Sequence, residues 1–166
     1  MGRSENRLAR ARKASRLAIV ALSWLGVADA LYMLAYHSGL VGSLACPFFG
    51  SGCETVGRSA QARHFGVPNA AVGAVGYAAM GTLAAWLGDR PASERPLIAL
   101  GLAASAASAL GASVFLTWEM VARVRAWCFW CLLSAGLNAA LFSLAAREGW
   151  SARRQGRHHS APLTRS

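Results

Sequence analysis

The chain has 166 residues, of which 55% are hydrophobic and 14% charged, and its formal net charge is +10. That balance is too apolar for a water-soluble domain of this size and indicates a single-domain membrane protein. The positive charge does not indicate a nucleic-acid partner, because thirteen of the seventeen basic residues fall in 1–16, in 89–96 or from Arg147 onward, outside the apolar stretches.

A basic leader, 1–16, carries Arg3, Arg7, Arg10, Arg12, Lys13 and Arg16. The apolar window 17–36 follows and contains one charge, Asp29. A spanning helix needs about 20 apolar residues to cross about 30 Å of hydrocarbon, and this window is long enough. Ala28-Asp29-Ala30 has the small-x-small form of a signal cleavage site, but apolar sequence continues through LYMLAY, too long a run for a signal h-region. Asp29 is a functional candidate as an intramembrane acid. It is equally a candidate to pair with Arg123 or Arg125, or to reach the interface.

The loop 37–66 holds CPFFGSGC, with Cys46 and Cys53. Pro47, Gly50 and Gly52 let it turn back on itself, so a Cys46–Cys53 bridge is feasible. Chain entropy gives such a ring a stabilisation of only about 2–3 kcal/mol. The stretch 54–65 suits a short helix lying on the membrane surface and covering the site like a lid, anchored by Phe48, Phe49 and Phe65. The second window, 67–87, has Ala70, Ala74 and Ala78 at four-residue spacing, with Gly73 and Gly76 nearby. The loop 88–96 carries Arg90 and Arg95. The third window, 97–118, repeats the pattern with Gly101, Ser105, Ala109 and Ser113. Small residues at this spacing let helix backbones approach closely, and a compact bundle is their meaning. Glu119 reads as an interfacial residue.

The fourth window, 127–146, opens on AWCFWCLL, with Cys128 and Cys131 three apart. A Cys-x-x-Cys pair indicates redox chemistry or zinc. Residues three apart share a helix face. Unpaired amides and the dipole at a helix start favour thiolate over thiol, so Cys128 is the reactive member. Cys131, one turn deeper among Phe129, Trp130, Leu132 and Leu133, faces a lipophilic partner, and a bilayer-soluble two-electron acceptor is a quinone. Asn138, on the same face, suits helix-to-helix hydrogen bonding. The tail 147–166 is polar and basic, reads as disordered, and ends beyond His158 and His159.

Basic leader, basic tail and the basic 88–96 loop place both termini in the cytoplasm by the positive-inside rule. The cysteine-bearing loops then face outward, where disulfides persist. The expected fold is an all-α, four-helix transmembrane bundle with an extracytoplasmic loop and short lid helix. Two cysteine pairs on one membrane face suggest a relay by thiol–disulfide exchange. Two alternatives use the same atoms. A four-thiolate zinc site has awkward spacing, with six residues between Cys46 and Cys53. Structural disulfides fit the second pair poorly, because a bridge three apart on a helix is strained.

Cys53-Glu-Thr-Val-Gly-Arg-Ser59, Gly66-Val-Pro-Asn69, Gly73, Tyr77 and Cys128-Phe-Trp-Cys131 together resemble the vitamin K epoxide reductase (VKOR) family, in its bacterial single-domain form, over roughly 17–146. The resemblance implies a helical bundle around a quinone of the menaquinone, ubiquinone or vitamin K type. It implies that Cys131 reduces the quinone, that Cys53 exchanges with Cys128, and that Cys46 meets a separate DsbA-like thioredoxin-fold protein. Reoxidising that partner drives disulfide formation in secreted proteins. Asn69 falls where the family has an asparagine that hydrogen-bonds the quinone carbonyl, a role favoured over that of an Asn that simply caps or pairs with neighbouring backbone. Ser59 is expected to order the loop. The vertebrate members have a tyrosine four residues after the second Cys-x-x-Cys cysteine, where this chain has Ala135, so epoxide reduction does not follow. A DsbB-type oxidase does the same work on another scaffold, but its cysteine pairs come in the opposite order. The remaining alternative is a non-enzymatic membrane protein.

Overall fold

A computed structural model describes residues 2–159, with side chains for residues 6–150. Four long helices form the bundle: α1 (Gly2–His37), α3 (Asn69–Leu87), α4 (Pro96–Glu119) and α5 (Phe129–His159). Between α1 and α3 lie a seven-residue helix, α2 (Gly52–Arg58), and a two-stranded hairpin of β1 (Arg63–His64) and β2 (Val67–Pro68). All four long helices contain stretches apolar and long enough to cross a membrane. The shortest of them, α3, has 19 residues and is therefore about 28 Å long, matched to the hydrocarbon core.

Two features of the surface agree with lipid. Large apolar side chains such as Leu31, Val75 and Val114 point outward and are at least half exposed. Four of the exposed tryptophans lie near helix ends, Trp86 and Trp150 at one end of the bundle and Trp118 and Trp127 at the other, where indole prefers the interface, while Trp24 lies midway along α1.

Helix α1 packs chiefly on α3, and α4 on α5. The expected small-residue contacts are partly present. Gly73 approaches Ala30, and Gly81 sits against Ser23. Gly26 lies flat against the Tyr77 ring, where any side-chain carbon would collide. On α4 the fully buried ridge is Ala99, Leu102 and Ala106, one step round from the anticipated Gly101–Ser105–Ala109 stripe. Window 97–118 is apolar on every side, so periodicity carried no signal for which face turns inward.

Three polar links fix the helices. Tyr77 Oη donates to the Ser134 carbonyl at 2.9 Å. Asn138 Nδ2 donates to Ser113 Oγ at 2.7 Å, tying α5 to α4 as its position suggested. At the end remote from the cysteines, the buried Arg16 donates to the Gly88 and Arg90 carbonyls, both at 2.6 Å, and to Glu148 Oε2 at 2.9 Å. Here the structure departs from the sequence reading. Arg16, the last residue of the basic leader, is buried, and α5 continues to His159 through the first part of the segment read as a disordered tail. The side chains of His158 and His159, and residues 160–166 altogether, lie outside the described residues.

Candidate active site

The cysteines gather at one end of the bundle. Cys46 and Cys53 are joined by a disulfide. Cys46 is half-buried and Cys53 wholly buried. The lid is shorter than the 54–65 stretch anticipated. Helix α2 stops at Arg58 because Ser59 turns extended and caps it, its Oγ donating to the Val56 carbonyl at 2.7 Å. A single 3-10 turn and the hairpin complete the cover.

Helix α2 is pressed onto the start of α5. Gly52 touches the Trp127 carbonyl so closely that a side-chain carbon there would overlap it. The next residue, Cys53, accepts from the Phe129 amide at 3.4 Å. Cys53 and Cys128 are thus neighbours in one buried cluster with Met33, Leu44, Val56 and Met120. The aromatic residues frame it: Phe48 against Phe129 at 5.6 Å, and Phe49 against Trp127 at 6.4 Å. Phe65 points away from the protein entirely.

Cys128 stands immediately before α5, and its Sγ accepts from the Cys131 amide at 3.4 Å. It is held below the ordinary thiol range, chiefly by a hydrogen bond from the Cys131 thiol, with the Cys131 and Trp130 amides adding to this against the opposing effect of burial. The sign of the consequence follows. A lowered value means that thiolate is lost only when pH falls below the range where ordinary thiols protonate. Thiolate absorbance of the reduced protein, taken as the difference from Cys128→Ser, should persist below that range. A midpoint at or above the ordinary thiol value would contradict the assignment.

Cys131 faces a cavity of about 130 Å³ enclosed by α1, α3, α4, α5 and the lid. Its walls are mostly apolar, including Met33, Leu116 and Trp130, with polar groups from Asp29, Asn69 and Ser134. Of the four cysteines, only Cys131 lines it. Asp29 does not pair with Arg123 or Arg125 as allowed for above. It is buried, faces Ser134, and its Oδ1 has no hydrogen-bond partner among the described residues. Asn69 begins α3, and its amide is bound on both sides. Nδ2 donates to the Gln61 carbonyl at 2.7 Å, and Oδ1 lies 2.9 Å from His64 Nδ1. Asn69 thus pairs with the Gln61 backbone and with His64, and it also lines the cavity.

Glu119 corrects the sequence reading. It is buried rather than interfacial, 3.0 Å from Arg123 NH1 and 3.1 Å from His64 Nε2. A buried carboxylate needs such partners. His64 went unnoticed in the sequence because its contacts with Asn69 and Glu119 depend on the hairpin.

The site is therefore one disulfide, an adjacent dithiol at a helix start, and an apolar cavity behind the deeper thiol. These features in a four-span helical membrane protein define a membrane thiol oxidoreductase. Comparison with protein families matches residues 17–146 to the Vitamin K epoxide reductase family. The chain belongs to that family, as the motifs suggested. Comparison with curated proteins returns no match.

Proposed function

We propose that this protein oxidises the dithiol of a DsbA-like thioredoxin-fold partner and passes the electron pair to a membrane quinone. The observation that carries this reading is the division of labour among the sulfurs. Cys46 is partly exposed, Cys53 and Cys128 are wholly buried neighbours, and of the four only Cys131 lines the apolar cavity.

The steps follow from that order. A partner thiolate attacks Cys46 and breaks the Cys46–Cys53 bond, leaving a mixed disulfide and a Cys53 thiolate. The partner's second thiol displaces Cys46 and departs oxidised. Cys53 attacks Cys128 in the oxidised inner pair, breaking the Cys128–Cys131 bond and freeing Cys131 as thiolate. Cys46 then displaces Cys128, which restores the outer disulfide and leaves the inner dithiol. A quinone bound in the cavity accepts two electrons and two protons. Cys128 and Cys131 supply them as they close to a disulfide, so one partner dithiol is oxidised for each quinol formed. The residues present fit such a ring: apolar walls, a sulfur at one edge and the Asn69 amide as a donor for a carbonyl oxygen. Ser59 holds the lid in register. Both termini are placed in the cytoplasm and the cysteines on the extracytoplasmic side, by the charge distribution given above.

Purified protein given a reduced thioredoxin-fold protein and menadione should form quinol and oxidised partner in equal amounts. Oxidation of the partner without quinol would mean a different acceptor. A packing protein with structural disulfides would support neither.

A further inference from the structure

Resting on the quinone reading above, we infer that His64, held by Glu119, fixes the Asn69 amide so that it presents an N–H to the quinone carbonyl. An asparagine amide is nearly symmetric in shape. Rotated by half a turn it would offer an oxygen, which repels a carbonyl oxygen. Something must choose between the two orientations.

Two neighbours make the choice. The Gln61 carbonyl can only accept, so it holds Nδ2 on its side at 2.7 Å. Oδ1 is then turned to His64 Nδ1 at 2.9 Å, and that nitrogen must carry a hydrogen to bond it. One of the two Nδ2 hydrogens is used by Gln61, which leaves the other for the cavity that Asn69 lines. His64 is held in turn from behind. Its Nε2 lies 3.1 Å from Glu119 Oε2, and Arg123 secures the other Glu119 oxygen at 3.0 Å. A buried glutamate is a costly way to hold a hairpin, and a sensible way to hold an imidazole ring in one place.

The hairpin exists to deliver His64 to this place. His64 pairs with Val67 across a two-residue turn, Phe65–Gly66, and both turn residues have positive φ, 52° and 79°. That is the tight hairpin turn whose twist matches the strands. It brings the His64 ring back over the first residue of α3. Phe65 is strained in this conformation, and its ring gains no packing in return, being fully exposed. His64 is thus a positioning residue that acts through Asn69.

The test is a double-mutant cycle on binding, read without turnover. Menadione affinity is measured by quenching of Trp130, which lines the cavity, with Trp130→Phe as the control for the signal. Asn69→Ala should weaken binding about tenfold, the scale of one lost hydrogen bond. His64→Ala should weaken it by a comparable factor. In the Asn69→Ala background His64→Ala should add nothing. His64→Gln, whose amide still donates to Asn69 Oδ1, should restore affinity to within about threefold. The menadione carbonyl stretch, followed with a 13C label, should shift on binding to wild type and not to His64→Ala. If His64→Ala weakens binding equally with and without Asn69, its role is only to hold the fold and the inference fails. If Asn69→Ala itself leaves affinity and carbonyl stretch unchanged, the assignment of Asn69 to quinone fails instead.

Discussion

Cys131→Ala is expected to reduce quinone-linked turnover by at least about a thousandfold, the scale on which loss of a reacting nucleophile registers. Cys131 is the one sulfur of the four in the cavity wall, so no other thiol can replace it there. The outer steps should survive. The Cys46–Cys53 disulfide remains open to a partner thiolate, and Cys53 remains beside Cys128. With no inner disulfide possible, the Cys128 thiolate can instead attack Cys53 of the outer disulfide, breaking the Cys46–Cys53 bond and releasing Cys46 as thiolate. With no Cys131 to resolve it, this Cys53–Cys128 interpair disulfide should accumulate, detectable by peptide mapping. Loss of turnover without that species would place the exchange elsewhere. Retained turnover would break the electron path at its last member.

Arg16→Ala is expected to cost about 3–5 kcal/mol of stability, the range for removing one partner of a buried ion pair. Glu148 would be left buried without its cation, and the carbonyls of Gly88 and Arg90 would lose their donor. Those carbonyls close the end of α3, so three helices loosen together at the pole opposite the cysteines. Arg16→Lys should recover only part of the loss, because one ammonium cannot reproduce the planar fork that reaches α5 and the α3–α4 loop at once. Unfolding in detergent, followed by far-ultraviolet circular dichroism, measures both variants. Wild-type stability in Arg16→Ala would show that the pair is replaceable by water or lipid headgroups.

The two regions differ in how far the sequence disclosed them. The spans were legible because twenty apolar residues in a row have few other uses, and the Cys-x-x-Cys pair was legible because its spacing is local. The position of Cys128 at a helix start followed from the apolar run that begins beside it. Asn69 was legible through its motif, but its binding partners were not. His64, Asn69 and Glu119 come together only because a two-residue turn reverses the chain at Phe65–Gly66 and α4 ends beside it. Arg16 and Glu148 are 132 residues apart, and each in isolation resembles a solvated charge next to a span. Glu119 misled for the same reason: an acid at the end of an apolar helix is usually at an interface, and only its tertiary neighbours put it inside.

The account stands or falls on whether the inner dithiol gives its electrons to quinone. A single-turnover experiment measures this directly: a reduced Cys46→Ser, Cys53→Ser variant, in which no outer dithiol can take the disulfide over, is mixed with one equivalent of menadione, quenched with acid and alkylator, and analysed for quinol and for disulfide-linked peptides. The predicted result is one quinol for each Cys128–Cys131 disulfide, appearing together. Quinol formed while Cys128 and Cys131 both remain thiols would contradict it.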